Sequence, residues 1–291
     1  MLVDVNGTRL WFDVDGPALI PDGASMLERP TVILVHGGPA SYDHSYLKTW
    51  FHDMTRYAQV VYLDLRDHGR SARQDPAAWS FEACADDIRG FCDALGIERP
   101  IVLGHSLGGM VVGLYGARHP GHAAGLVLLS TMGRFDLDRL TEGFRGIAGD
   151  EVAALARRDY SIDGLDEEDS SRVYAAFGPN VPSPAERART VMNPALGPFG
   201  GKLLVRFDAT AELPRITAPT LVCVGDLDPV TPVSAAEELV EVLGDGIARL
   251  AIIPGAGHFP WLDRPDVLSP VLEAFVMDVA ASRQTAAATP P

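Results

Sequence analysis

Gly104-His105-Ser106-Leu107-Gly108 stands between an apolar run, Ile101-Val102-Leu103, and a second one, Met110-Val111-Val112-Gly113-Leu114-Tyr115. The first run reads as a strand and the second as a helix. G-x-S-x-G in that context makes a sharp turn that lifts the serine hydroxyl above the edge of a sheet. Small residues on both sides let neighbouring backbone approach without clash. Ser106 at the tip also sits at a helix N-terminus, where the dipole favours developing negative charge. The competing reading is an ordinary strand-to-helix turn, because Gly and Ser are common loop residues. The residues downstream decide between the two.

A serine hydroxyl is a weak nucleophile at its free pKa and needs a base within hydrogen-bond reach. That base is usually His, with a carboxylate to fix its tautomer. Leu221-Val222-Cys223-Val224-Gly225 reads as a buried strand and is followed by Asp226-Leu227-Asp228-Pro229. Ala251-Ile252-Ile253 reads as another, followed by Pro254-Gly255-Ala256-Gly257-His258. Each candidate lies just past the C-terminal end of a predicted strand, the edge on which sites of open α/β sheets gather. The order Ser106…Asp228…His258 is that of the α/β-hydrolases, not of chymotrypsin or subtilisin.

From about residue 1 to 282 the chain resembles an α/β-hydrolase-fold serine hydrolase. The resemblance rests on His36-Gly37-Gly38-Pro39, Asp64-Leu65-Arg66-Asp67-His68-Gly69-Arg70-Ser71, the Ser106 turn, Gly225-Asp226-Leu227-Asp228 and Gly257-His258-Phe259-Pro260. The first of these, with Asp43-His44-Ser45-Tyr46-Leu47, is similar to the proline iminopeptidase-like branch. That branch usually carries an aromatic residue after the nucleophile and His-Gly-Gly-Pro-Gly, where this chain has Leu107 and Ala40. The His-Ser-Leu-Gly-Gly turn is widespread among esterases and lactonases.

The resemblance implies Ser106 as nucleophile, His258 as base and Asp228 as acid. It also implies an oxyanion hole from the backbone N–H groups of Gly38 and Leu107. The family places the acid third after the glycine, which selects Asp228 over its rival Asp226. A serine at the turn argues against the dehalogenase and epoxide hydrolase chemistries of this fold, which use Asp there. His36 and His105 are read as structural and packing residues, and Trp261 as a buttress. Asp64 to Ser71 is read as a hydrogen-bonded loop brace.

The α/β class is also expected from the order of elements. Leu2 to Val5 and Arg9 to Val14 flank Asn6-Gly7, a hairpin signal. Residues 17–30 read as a loop, 31–35 and 59–63 as strands, and 45–56 as a helix. Ser80 reads as the N-cap of a helix over 80–95. After a strand at 126–129 the β/α alternation stops and helix-like segments with Pro/Gly breaks follow until Pro219. The expected architecture is an eight-stranded, mostly parallel sheet with a helical cap inserted after the sixth strand. The core is 1–132 and 216–282, the cap 133–215, and 283–291 a disordered tail. Cap aromatics Phe144, Tyr174, Phe177 and Phe199 are candidate pocket residues, against the alternative that they are cap core.

The length of 291 residues suits one large domain. An apolar fraction of 47% fits a soluble globular chain. A net charge of −15 argues against nucleic-acid and anionic-membrane partners, which require basic patches. The expected partner is a small-molecule substrate, with monomer and homo-oligomer both open. The N-terminus lacks a basic start and a long apolar core, so a cytoplasmic location is expected. Cys84, Cys92 and Cys223 match no zinc spacing and read as reduced, buried residues. No cofactor and no metal are expected.

The expected activity is hydrolysis of a small ester, lactone or amide through an acyl-enzyme. Two alternatives stand beside it. A prolyl aminopeptidase would need acidic groups for a free amine, with Glu142, Glu186 and Glu212 as candidates. A ligand-binding receptor or scaffold would keep the same residues without turnover.

Overall fold

The computed structural model describes residues 1–161 and 165–288. The strands are β1 Leu2–Val5, β2 Thr8–Asp15, β3 Leu19–Asp22, β4 Ser25–Glu28, β5 Thr31–Val35, β6 Gln59–Leu63, β7 Ile101–His105, β8 Gly125–Leu129, β9 Thr220–Gly225 and β10 Ala248–Ile253. The helices are α1 Ser45–Phe51, α2 Phe81–Leu95, α3 Leu107–Arg118, α4 Leu137–Tyr160, α5 Glu167–Ala175, α6 Pro184–Arg187, α7 Gly197–Leu204, α8 Val233–Leu243, α9 Pro260–Asp263 and α10 Pro265–Ala288.

Eight strands form one sheet in the order β1-β2-β6-β5-β7-β8-β9-β10. β2 runs antiparallel to both neighbours, and the strands from β6 to β10 are parallel. The central strands are continuous apolar runs because both of their faces are covered. Ile33, Val35, Val102, Leu126, Leu128, Val222 and Val224 pack into one cluster with α2, α3 and α8. The alternate residues Val32, Leu34, Ile101, Leu103, Val127, Leu129 and Leu221 pack into another with α1 and α10. The period of two along each strand thus separates two cores.

The N-terminal hairpin turns at Asn6 and Gly7, both with positive φ, and the Ser80 hydroxyl caps α2 by accepting from the Ala83 amide. The cysteines are free and buried. Three expectations need correction. Residues 17–30 are not all loop: β3 and β4 pair as a separate hairpin closed at Gly23-Ala24. Both strands are largely exposed, so no alternating apolar pattern marks them. The helix expected over 45–56 ends at Phe51 and continues as a tighter 3-10 turn, His52–Arg56. The tail expected over 283–291 is helical as far as Ala288, because its alanines are strong helix formers. The rest of it lies outside the described residues.

Between β8 and β9, the sixth and seventh strands of the main sheet, the chain builds α4 to α7. α4 folds back on itself at Gly149, whose φ of 83° breaks the helix. Its two arms bring Leu140 and Phe144 against Ala153 and Ala156, with Val173 of α5 and Val230 completing a small core of their own. Among the described residues no helix is long and apolar enough to cross a membrane.

Candidate active site

The turn after β7 is built by steric exclusion. Ser106 has φ 55° and ψ −122°, a strained conformation for a residue with a side chain. A Cβ at Gly104 would overlap the Gly108 carbonyl, one at Gly108 would meet the carbonyls of Val35 and His36, and one at Gly109 would strike Thr131. The Ser106 amide donates to Leu129 O at 2.9 Å. The Thr131 hydroxyl donates to Ser106 O at 2.7 Å. The strained residue is therefore pinned at both backbone atoms by the adjoining strand end.

Ser106 Oγ lies 3.1 Å from His258 Nε2, and His258 Nδ1 lies 2.9 Å from Asp228 Oδ2. Asp228 and His258 are almost fully buried. The Asp228 carboxylate also accepts from the amides of Val230 and Thr231 and from the Thr231 hydroxyl, at 2.9, 3.0 and 2.7 Å. That full set of donors aims the carboxylate at the imidazole. Asp226 points elsewhere, accepting from the Gly255 amide at 2.6 Å on the surface. Of the two acids, only Asp228 meets His258.

Gly37, Gly38 and Leu107 line the chamber at Ser106. The Leu107 amide is in the first turn of α3, where helical N–H groups have no partner within the helix. The loop after β5 is held by uncharged groups. The Ala40 amide donates to His68 Nε2 at 3.1 Å, and His68 Nδ1 donates to Arg66 O at 2.9 Å. Burial pushes the His68 imidazole down to about 3. His36 accepts from the Leu65 amide at 3.2 Å, and burial lowers it also. His105 does more than pack: its Nε2 donates to His258 O at 2.9 Å, and Tyr46 bonds its Nδ1. Trp261 sets its ring edge-on against His105, with centroids 4.6 Å apart.

The brace at residues 64–71 is a hydrogen-bond node. Asp64 accepts from the His44 amide and ring and from the Arg70 amide. Asp43, His44 and Asp64 are the one group with metal-like spacing among the described residues. Their donors and acceptors are used within the chain, Asp43 taking the Ser45 and Val191 amides. Asp67 has the positive φ that its place in the turn demands.

Two chambers lie above Ser106. The inner one, about 60 Å³, is walled by Met110, Met132, Phe135, Leu140 and Val230. The outer one is about 1110 Å³. Gly38, Tyr42, Tyr160, Phe177 and Leu204 line both and form the throat between them. Tyr174 lines the outer chamber, where its hydroxyl meets that of Tyr42 at 2.9 Å. Phe144 lines neither: it is fully buried in the small core of α4 and α5. Phe199 lines neither as well, since α7 turns Gly197, Pro198 and Gly201 toward the cavity instead. Glu142, Glu186 and Glu212 are also outside both chambers. Glu142 pairs with Arg145, Glu186 closes a capping box with Ser183, and Glu212 precedes a 3-10 turn. Sequence reasoning missed Tyr46, Thr131 and Thr231, whose partners are brought to them only by the fold.

A serine, histidine and aspartate bonded in series at the C-terminal edge of a parallel sheet define the class: an α/β-hydrolase site. The chain belongs to the alpha/beta hydrolase fold family, whose model matches residues 30–265. It is 26% identical over 289 residues to a proline iminopeptidase of Pestalotiopsis fici, a match covering 91% of this chain and 95% of that protein. It is 30% identical over 248 residues to a pimeloyl-acyl carrier protein methyl ester esterase of Chromobacterium violaceum, covering 80% of this chain and 89% of that one. The solved proline iminopeptidase of Mycobacterium smegmatis shares the fold with a TM-score of 0.79, at 21% identity over 97% of this chain and 99% of that one.

Proposed function

We propose that this chain is a serine hydrolase that cleaves a small ester, lactone or amide through an acyl-enzyme. The observation that carries the reading is the bonded series Ser106 Oγ, His258 Nε2, His258 Nδ1 and Asp228 Oδ2. His258 takes the hydroxyl proton as Ser106 Oγ attacks the carbonyl carbon. The amides of Gly38 and Leu107 receive the oxyanion. His258 then hands its proton to the leaving group, and the same base activates water for deacylation. Asp228 holds the imidazole in the tautomer this requires. Residues 133–215 act as a cap that excludes water from the reacting carbonyl.

The chambers suggest the shape of the substrate. A small apolar group fits beside Ser106, and a bulkier, partly polar group occupies the outer chamber. The prolyl aminopeptidase reading draws on the iminopeptidase relative and on Asp159 and Glu167, which line the outer chamber. On that reading those two, rather than Glu142, Glu186 or Glu212, would meet the substrate amine.

Labelling by a fluorophosphonate tests the chemistry. Wild type takes the label at Ser106, and Ser106→Ala takes none. A panel of p-nitrophenyl esters, acyl lactones and proline-β-naphthylamide then tests the substrate class. Turnover of the naphthylamide alone makes the protein an aminopeptidase, and a wild type that neither labels nor turns over any of them overturns the enzyme reading.

A further inference from the structure

The backbone of His258 is held at both of its polar atoms. Its carbonyl accepts from His105 Nε2. Its amide donates to the carbonyl of Phe177, 2.7 Å away in the helical segment above the sheet. The Phe177 ring stands edge-on to the His258 imidazole, with centroids 5.5 Å apart and planes at 84°. The contact continues into the adjoining residues, where Gly178 and Gly257 meet backbone to backbone. A Cβ on Gly178 would stand 2.8 Å from Gly257 Cα, and one on Gly257 would run into Gly178 Cα and the Phe177 carbonyl. Asp263 clasps this seam. One of its oxygens accepts from the Gly257 amide and the other from the Asn180 side chain, each at 2.8 Å.

Only a glycine pair permits so close an approach. Attaching a helical layer to a sheet does not require it. The same layer is moored a second time with ordinary bonds: Val191 N–H to Asp43 Oδ2 at 2.9 Å, Asn193 N–H to Ala40 O at 3.2 Å, and Asn193 Nδ2 to Asp67 O at 2.8 Å. The glycine seam is distinguished by where it falls, on the residue that carries the imidazole.

We propose that Phe177 and Gly178 are positioning residues for His258. The seam sets the height of the imidazole over Ser106, so this stretch of the cap is a fixed part of the catalytic apparatus and the cap does not lift away from it during turnover. The proposal rests on the serine-hydrolase reading above. A displacement of about 1 Å at a reacting group costs on the order of 10²-fold in rate. Such a loss appears chiefly in kcat when the seam is altered at Gly178 or Asp263, because neither of these lines the chambers.

Gly178→Ala forces the seam apart, and Asp263→Ala loosens its clasp without adding bulk. Active serines are titrated with the fluorophosphonate, so that kcat is expressed per labelled site, and melting temperature is recorded beside it. For Gly178→Ala, kcat per labelled site falls roughly tenfold or more with KM within about twofold of wild type. Asp263→Ala moves the same way by less. A kcat per labelled site unchanged in both variants overturns the proposal, even if fewer sites label and the melting point drops, since that is the mark of a purely structural seam. A wild type that takes no label overturns the serine-hydrolase reading and this proposal with it, so the two failures are told apart.

Discussion

The Tyr46 hydroxyl lies 2.8 Å from His105 Nδ1 and 2.8 Å from the Gly37 amide nitrogen, and this fixes the direction of every proton between two loops of the site. The Gly37 amide can only donate, so the phenol oxygen accepts. Its single proton then goes to Nδ1, which leaves Nε2 protonated and donating to His258 O. Burial holds both groups uncharged, lowering His105 well below the ordinary imidazole range and raising the Tyr46 phenol. Tyr46→Phe keeps the packing and removes the link. It leaves two buried polar groups without a partner, at a cost of about 1–3 kcal/mol for each. The expected result is kcat lower by roughly tenfold with KM little changed. Nitrogen NMR of the His105 ring reads the tautomer directly. An unchanged tautomer together with unchanged kcat would count against this assignment.

The two acids after β9 make a paired test. Asp228→Asn removes the charge that supports the imidazolium and lets His258 adopt the wrong tautomer. Its kcat falls on the order of 10³–10⁴-fold, with substrate binding little altered. Asp226→Asn disturbs only the surface bond to the Gly255 amide. It stays within about threefold of wild type, as expected for a surface position away from the reacting groups. Steady-state kinetics on the best ester or lactone decide it, and a reversal of the two phenotypes would overturn the choice of acid.

The glycine spacing of the turn is legible in the sequence because its cause is local. The clashes at Gly104, Gly108 and Gly109 involve the turn itself and the neighbouring strand ends. The strands at 31–35 and 59–63 are legible because burial on both faces makes them apolar after their first residues, Thr31 and Gln59. The β3–β4 hairpin is not legible, since it buries no face. Tyr46 and Asn193 are not legible because their partners lie far away in sequence, at His105 and Asp67. Phe144 and Phe199 show why aromatic content alone does not locate a pocket. A helix can turn such a ring into its own core as readily as toward a ligand, and α4 does so with Phe144.

The buried imidazoles predict an acid-labile fold. Burial lowers His68 to about 3 and also depresses His36 and His105. In the unfolded chain such rings titrate near 6.5. Below that pH the unfolded chain binds protons that the folded chain does not. For His68 the stability present above about pH 6.5 is therefore lost as the pH falls toward about 3, at on the order of 1.4 kcal/mol per pH unit, and His36 and His105 act in the same direction. His68→Gln keeps an amide near the Ala40 N–H and cannot titrate. Urea unfolding at a series of pH values should give a shallower acid slope for this variant between about pH 6.5 and 4. Identical slopes in the two proteins would mean that His68 carries none of the linkage.

The throat between the chambers is where substrate size should be set. Leu204 lines both chambers from α7 and is only partly buried, so Leu204→Ala widens the throat at little cost to the fold. One methylene in an apolar pocket is worth about 1–3 kcal/mol of discrimination. The ratio of kcat/KM for a hexanoyl over an acetyl p-nitrophenyl ester should therefore rise roughly tenfold in this variant. Phe177→Ala should behave differently. Its ring lines the throat but also stands against the His258 imidazole, so kcat should fall for both esters whatever the change in their ratio. Phe199→Ala, outside both chambers, should leave the ratio at its wild-type value. If Phe199→Ala shifted the ratio while Leu204→Ala did not, the cavity at Ser106 would not be the substrate's seat.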